Sequence, residues 1–374
     1  MRYYIIAGEA SGDLHASNLV AEIKKKDPKA EFRGWGGDLM KRQGVDLVKH
    51  YRSTAYMGFV EVAVNIRKVM GNISFCKQDM LEYQPDAVSL VDYPGFNLRI
   101  AQFAHDKGMK VFYYVSPQVW AWKRRRVKKI KRSVDQMIVI LPFEEAFYRR
   151  YGVNVNYVGH PLLDELAKLD TSNRSVFLRR NNLGEKREVI ALLPGSRSQE
   201  VKRMLGIMLK VVPHFPNYQF VVAGVSSLDK KMYKSIIGNA DVTLVENQTY
   251  ELLQNSSAAV VASGTATLET ALLAVPEVVC YKANGLSYRI AKSLVKVNYI
   301  SLVNLVMEKE VVKELIQNEL TEESIVKELE RLLYDGKRQR RLLEDYDELR
   351  DRLGNVGASE RAAELICNGI RKMR

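Results

Sequence analysis

Three stretches of the chain hold residue types that could move a proton or grip a phosphate. In "SLVDYPGFNLRIA" an apolar run ends at Asp92, with a Pro-Gly turn behind it and Asn97 at the start of a helical pattern. A carboxylate in that place could take the proton from an attacking hydroxyl, a role typically worth about 10² to 10⁴ in rate, or it could simply cap the helix. In "VVASGTATLETALL" the residues Ser263, Gly264 and Thr265 open a helix and Glu269 lies one turn in. A helix amino terminus stabilises a departing phosphate, and a carboxylate one turn along can accept both hydroxyls of a ribose. Glu269 follows Thr265 by four residues where a capping box uses three, which weakens the purely structural alternative. In "LLPGSRSQEV" Gly195, Ser196 and Arg197 directly follow an apolar run, so backbone donors and a guanidinium can converge on a diphosphate. A Pro-Gly turn with a surface arginine is the rival there. Together the last two stretches describe a nucleotide-diphosphate site.

A fourth loop, "AGEASGDLHA", contains Gly8, Glu9, Ser11, Gly12 and Asp13. Its glycines permit a tight turn and close backbone approach, and Ser11 and Asp13 are placed to cap a helix starting at about Leu14. The pattern is not G-x-G-x-x-G and no acid sits where an NAD ribose would need one, so a dinucleotide is disfavoured. A well-capped turn is the plain alternative.

The elements that position these loops follow from hydrophobic rhythm. Runs apolar on both faces ("RYYIIAG", "PDAVSLVD", "MKVFYYVS", "DQMIVIL") alternate with helix-period segments such as "HASNLVAEIKKKD". The rhythm restarts after the polar "LDTSNRS" with "EVIALLPG", "YQFVVAGV", "DVTLVEN", "SAAVVAS" and "PEVVCYK". Strands buried on both faces imply parallel sheets, hence an α/β protein of two doubly wound, Rossmann-like domains facing a cleft, where the carboxyl ends of the strands bind ligands. The expected boundaries are 1–165, 166–340 and a helical tail, 341–374, packing back across both.

With 374 residues, two domains are the ordinary expectation. The three cysteines, Cys76, Cys280 and Cys367, lie far apart, there is no H-E-x-x-H, and His15, His160 and His214 read as isolated caps or surface residues. No metal, disulfide or other cofactor is expected. No apolar run reaches the roughly 18 residues of a membrane span and the start reads as a strand, not a signal peptide, so a cytoplasmic protein is expected. The "DYD" at Asp345 to Asp347 reads as solvated.

The formal charge of +13 calls for an acidic partner. Eight of the ten residues from Lys123 to Arg132 are basic, Arg124 and Arg125 among them, and Trp120 and Trp122 precede them, a combination suited to an anionic surface. Between residues 57 and 80, Phe59, Val62, Ile66, Val69 and Ile73, widened by Ala63 and Met70, form a helical apolar stripe that could be core or could lie in a membrane interface.

The ordered set "AGEASGDLHA", "MGFVEV", "VDYPGFN", "YYVSPQVWAWKRRRVKKI", "LPFE", "VGHPLLD", "LLPGSRSQEV", "ASGTATLE" and "YISLVNLV" resembles the lipid-A-disaccharide synthases, from residue 7 to about residue 306. That resemblance implies the two-domain GT-B glycosyltransferase fold and an inverting, metal-independent transfer from UDP-2,3-diacylglucosamine to 2,3-diacylglucosamine 1-phosphate. It implies Asp92 as the base, with Ser11 and its neighbour Glu9 beside it, and Arg197, Glu269 and Asn304 on the nucleotide side. It also implies Met57, Gly58 and Glu61 at the start of a membrane-associated helix, and peripheral attachment to the inner membrane. Gly95 stands where many relatives carry a second aspartate, which concentrates the base role on Asp92. A UDP-sugar 2-epimerase of the same architecture is the rival enzyme. An RNA-binding module built on the basic run is the rival of another class, and it ranks low because no RNA-recognition pattern accompanies the charge.

Overall fold

The apolar runs become strands whose side chains are covered on both faces: every residue of Ala87–Val91 is buried, and every residue of Arg2–Ala7 except Arg2. Such strands require helices on both sides of the sheet. The computed structural model describes residues 1–53, 66–120, 126–284 and 298–371, which fall into two units.

Unit 1 comprises Met1–Lys168 and Leu353–Arg374. Its strands are β1 (Arg2–Ala7), β2 (Glu31–Gly36), β3 (Asp46–His50), β4 (Ala87–Val91), β5 (Lys110–Tyr114), β6 (Gln136–Val139) and β7 (Val155–Tyr157). They pair in parallel in the order β3-β2-β1-β4-β5-β6-β7. The chain leaves β1 toward one edge and β4 toward the other, so the topological switch point lies between them. Ala7 pairs with Val91, and the loops after both strands emerge side by side.

Unit 2, Leu169–Arg352, repeats the plan. Its strands are β8 (Glu188–Leu193), β9 (Tyr218–Gly224), β10 (Val242–Glu246), β11 (Ser256–Ala262), β12 (Glu277–Tyr281) and β13 (Lys313–Ile316), ordered β10-β9-β8-β11-β12-β13 and again parallel. Here the switch point falls between β8 and β11, with Leu193 opposite Val261.

The helix Ile66–Tyr83 shows how the first sheet is covered. Ile73, Cys76 and Met80 are 0–4% exposed in the core, with Val69 packed against it. Ile73 and Met80 each contribute roughly 1.5–3 kcal/mol by leaving water. Asp79 fixes the register: it accepts hydrogen bonds from the Tyr4 hydroxyl (2.6 Å) and Arg33 Nη2 (2.7 Å).

The helical tail divides between the units. Glu322–Tyr334 and Gly336–Arg352 belong to unit 2, and the chain returns to unit 1 only from Leu353. The returning helix, Ala358–Arg371, is held by the "VGHPLLD" stretch. Asp164 accepts from the backbone N–H groups of Gly357 (2.6 Å), Ala358 (3.2 Å) and Ser359 (2.9 Å), and Arg361 Nε donates to the Val158 carbonyl at 2.9 Å. A carboxylate at a helix amino terminus satisfies donors that no residue of the helix can reach.

Candidate active site

At the switch point of unit 1 the loop after β1 is shorter than its sequence suggests. The helix Ala10–Lys26 begins directly after Glu9, its N-cap residue, so Ser11 and Asp13 lie inside the first turn instead of capping it. Asp13 is turned onto a neighbouring segment, where its carboxylate accepts from the N–H groups of Gly37 (2.7 Å), Leu39 (3.1 Å) and Met40 (3.1 Å). It thereby caps the short helix Asp38–Arg42, whose donors had no local partner. Gly8 is required for a different reason: a Cβ there would overlap the ring of Tyr93, so the loops after β1 and β4 are packed in contact.

Asp92 and Tyr93 both adopt left-handed backbone, with φ of 45° and 47°. Two consecutive non-glycine residues in that region are strained and persist only where neighbours hold them. The Asp92 carbonyl is held by Asn97 Nδ2 (2.8 Å) and by the Tyr113 hydroxyl. The same Asn97 amide lies 3.2 Å from the Val91 carbonyl and 3.4 Å from that of Ile6, tying the ends of β4 and β1 together. Asn97 and Tyr113 are completely buried, so the strained turn rests on rigid supports. Asn97 was legible in the sequence; Tyr113 was not, because nothing in "KVFYY" marks which tyrosine hydroxyl points along the sheet to the next strand.

At the switch point of unit 2 the loops after β8 and β11 leave paired strands side by side. Gly195 has φ +110°, and a Cβ on it would press on Glu200. Arg197 is the N-cap residue of the helix Ser198–Met208; its N–H donates to Glu200 Oε2 (3.3 Å) and its guanidinium pairs with Glu200 Oε1 (3.0 Å). After β11, the Ser263 N–H donates to the Cys280 carbonyl (2.8 Å) and its hydroxyl to the Ile300 carbonyl (3.2 Å). Gly264 is then the N-cap residue of the helix Thr265–Leu272 and has no side chain to cover its amino end. Glu269 accepts from the Tyr250 hydroxyl at 3.2 Å. Burial pushes its carboxyl above the usual carboxylate range, and the Tyr250 bond partly offsets this.

Asn304 is held in a buried network. Its side chain donates to the Val312 carbonyl (2.9 Å) and Glu314 Oε1 (2.9 Å) and accepts from the N–H groups of Val311 (2.8 Å) and Val312 (3.0 Å). All four hydrogen-bonding positions of the amide are used within a buried site, so Asn304 shapes the loop.

Several other expectations are corrected. Ile73 and Val69 face the core of unit 1 as described, and of the stripe's described side chains only Met70 points outward, 52% exposed. Ile66 starts the described part of that helix, while Met57, Gly58, Phe59, Glu61, Val62 and Ala63 lie outside the described residues, as do Trp122, Arg124 and Arg125. Trp120 is buried against Phe143, with ring centroids 4.9 Å apart, because an indole packs its large apolar surface wherever a core offers room. His160 is a cap, as expected: it is the N-cap residue of the helix Pro161–Leu166, and its Nδ1 accepts from the Leu162 N–H at 3.2 Å; but His15 and His160 are neither isolated nor at the surface, their buried rings meeting edge to face at 6.5 Å. Burial lowers both imidazoles, to about 4 and about 3, so both are neutral near pH 7. Of the "DYD" carboxylates, Asp347 is exposed as expected, while Asp345 is paired with Lys309 at 2.7 Å.

A family model described as lipid-A-disaccharide synthetase matches residues 3–367. The chain belongs to the lipid-A-disaccharide synthase family. It is 44% identical to the lipid-A-disaccharide synthase of Syntrophus aciditrophicus, over 98% of this chain and 97% of that one. The synthase of Myxococcus xanthus is 40% identical over 98% and 96%. As a lipid-A-disaccharide synthase the chain is a glycosyltransferase. Solved structures share its architecture at low identity. A UDP-GlcNAc 2-epimerase from Neisseria meningitidis bound to UDP-GlcNAc gives a TM-score of 0.63 at 13% identity, covering 100% of both chains. The glycotransferase of kitacinnamycin gives 0.64 at 14%, covering 98% of each. At such identities the likeness extends to the fold alone: two parallel-sheet α/β domains of the GT-B kind with a helical C-terminal region.

Proposed function

We propose that this synthase transfers the sugar of UDP-2,3-diacylglucosamine to the 6-hydroxyl of 2,3-diacylglucosamine 1-phosphate with inversion, releasing UDP. The observation that supports this most is the matched pair of switch points. One carries a rigidly held aspartate at Asp92; the other carries Gly195, Ser196 and Arg197 beside the uncovered helix end at Ser263, Gly264 and Thr265. Asp92 removes the proton of the attacking hydroxyl, with Ser11 and Glu9 lining the same end of the sheet. UDP departs into the loops of unit 2, where amide dipoles and the Arg197 guanidinium receive the charge and Glu269 takes the ribose. Arg197 must then exchange its bond to Glu200 for the diphosphate.

Incubating the purified protein with both acylated sugars is expected to yield UDP and a disaccharide 1-phosphate of the summed mass less UDP. Donor alone should remain unchanged; an epimerised or eliminated sugar in that arm, or no disaccharide in the first, would overturn the assignment.

Acyl chains on both substrates call for a membrane-associated enzyme attached at the cytoplasmic face of the inner membrane. Among the described residues no helix is long and apolar enough to cross a membrane. Peripheral contact is supported by the helix Arg126–Ser133, which buries Val127 and Ile130 and exposes Lys128, Lys129, Lys131 and Arg132. Met70 and Phe75, 52% and 49% exposed on the helix Ile66–Tyr83, add apolar surface. Sedimentation with vesicles is expected to rise with anionic lipid content and fall as salt is raised from 50 to about 500 mM, because basic residues near such a surface contribute about 1 kcal/mol each. Binding indifferent to both variables would remove the electrostatic contact.

A further inference from the structure

The edge strand β13 carries a buried carboxylate that is bound to a turn beside Ser263. Glu314 is 8% exposed. Its Oε2 accepts from the Ile300 N–H at 3.0 Å, and its Oε1 from the Ser301 N–H and from Asn304 Nδ2, both at 2.9 Å. Burying a carboxylate is costly unless donors converge on it in this way. The sheet does not need the side chain, because β13 joins β12 through its backbone, with Cys280 opposite Leu315. What the carboxylate fixes is the turn before the helix Leu302–Met307, whose N-cap residue Ser301 accepts from the Asn304 N–H at 3.2 Å.

That turn presents the Ile300 carbonyl to the Ser263 hydroxyl, which donates to it at 3.2 Å. Ser263 immediately precedes Gly264, the N-cap residue of the helix Thr265–Leu272. The first N–H groups of a helix have no partner within it, and serine is among the residues that most often supply one. With its hydroxyl engaged by Ile300, Ser263 leaves that amino end uncovered, and Gly264 has no side chain to replace it. An uncovered amino end is suited to receive a phosphate.

We propose that Glu314 is a positioning residue for the diphosphate of UDP. By holding the N–H groups of Ile300 and Ser301 it fixes the Ile300 carbonyl, which keeps the Ser263 hydroxyl off the amino end of Thr265–Leu272. The inference rests on the proposed transfer, in which UDP departs into the loops of unit 2, and it names the group that keeps its landing site open. Glu314 acts through the turn and not by touching the nucleotide.

Calorimetric titration with UDP and with uridine is made on wild type, Glu314→Gln, Ser263→Ala and the double variant. Glutamine keeps the length of the side chain but sets an NH2 group among donors, so the turn loses at least one of its contacts. Glu314→Gln is expected to weaken UDP about 10- to 30-fold and uridine less than about twofold, since only the phosphates meet the helix end. Adding Ser263→Ala to that variant should recover about threefold or more of the lost affinity, because no hydroxyl remains to cover the helix end. A carboxylate that served folding alone would show neither the discrimination nor the recovery. Equal losses of UDP and uridine, an unchanged UDP affinity, or a double variant that binds UDP no better than Glu314→Gln would overturn the positioning role. Glu314→Asp keeps a carboxylate at shorter reach, should lose less, and carries the same comparison should the glutamine variant fail to fold. Wild type separates this inference from the reading beneath it. UDP bound no better than uridine would remove the diphosphate site and Glu314's role with it, whereas UDP bound tightly by a protein that forms no disaccharide would overturn the transfer alone and leave the variants to decide on Glu314.

Discussion

Asp92→Asn is expected to lower turnover by 10³-fold or more while UDP affinity stays within about twofold. The expectation rests on the local backbone as much as on the carboxylate. Residue 92 is held in the left-handed region at φ 45° by hydrogen bonds to its carbonyl from Asn97 and Tyr113. Asparagine is among the few residues that enter that region readily, so the turn should keep its shape. What the substitution removes is the ability to accept a proton, since an amide of the same size is not a base at neutral pH. General-base assistance is typically worth about 10² to 10⁴ in rate, and the acceptor hydroxyl has no other proton acceptor assigned to it here. Single-turnover measurement with saturating donor isolates the chemical step, and calorimetric titration with UDP checks the other unit. A variant retaining more than a tenth of wild-type turnover would take Asp92 out of the base role; lost UDP binding would mean the substitution had damaged more than the reacting group. Asp92→Glu should also be slow, because an added methylene displaces the carboxylate from a turn that Tyr113 and Asn97 hold rigid.

The loops that matter were legible because each couples an apolar run to residues with a strong local meaning. Gly8, Gly195 and Gly264 are positions where a side chain would either collide or cover a helix end, and a sequence records such constraints directly. The parallel order of both sheets follows from strands apolar on both faces, and the switch points follow from the order. What the sequence could not show is where a polar side chain looks once the chain has folded. Asp13 has the composition of a cap for its own helix and caps Asp38–Arg42 instead, because the partner donors lie 24 to 27 residues away in the chain. Asn304 sits in a motif that suggests ligand contact, and its amide also holds the segment around Val311 and Glu314. The stripe through Val69 and Ile73 has one apolar face whether it meets a sheet or a lipid, and periodicity is the same in both cases. The burial of Ile73, Cys76 and Met80, with the bonds of Asp79 on the same helix to Tyr4 and Arg33 of the sheet, reveals which face is turned inward.

Glu269 gives the second large effect, and its sign with pH is determined by burial. The carboxyl is raised above its ordinary range by desolvation, so in the unliganded protein it keeps its proton to a higher pH than an exposed glutamate does. Accepting hydrogen bonds from both ribose hydroxyls favours the ionised form, which means UDP affinity should fall as the pH drops through the carboxyl's range and recover as it rises. Stability of the empty protein runs the other way: a group whose folded pKa is raised contributes most below its unfolded pKa and loses that contribution as the pH rises through the folded one. Glu269→Gln removes both trends. It keeps the side-chain shape and one acceptor oxygen for Tyr250, but it should weaken UDP about 10- to 100-fold at pH 8, the value of one or two hydrogen bonds to a charged group. The loss should shrink as the pH falls through the carboxyl's own range, where the wild-type group is itself protonated. A UDP analogue lacking the 2′- and 3′-hydroxyls supplies the control: it should bind wild type and Glu269→Gln equally well. If the variant binds UDP as wild type does across the pH range, or loses the analogue as severely as UDP, the ribose is held elsewhere, and Glu269 serves only to dock Tyr250 against its helix.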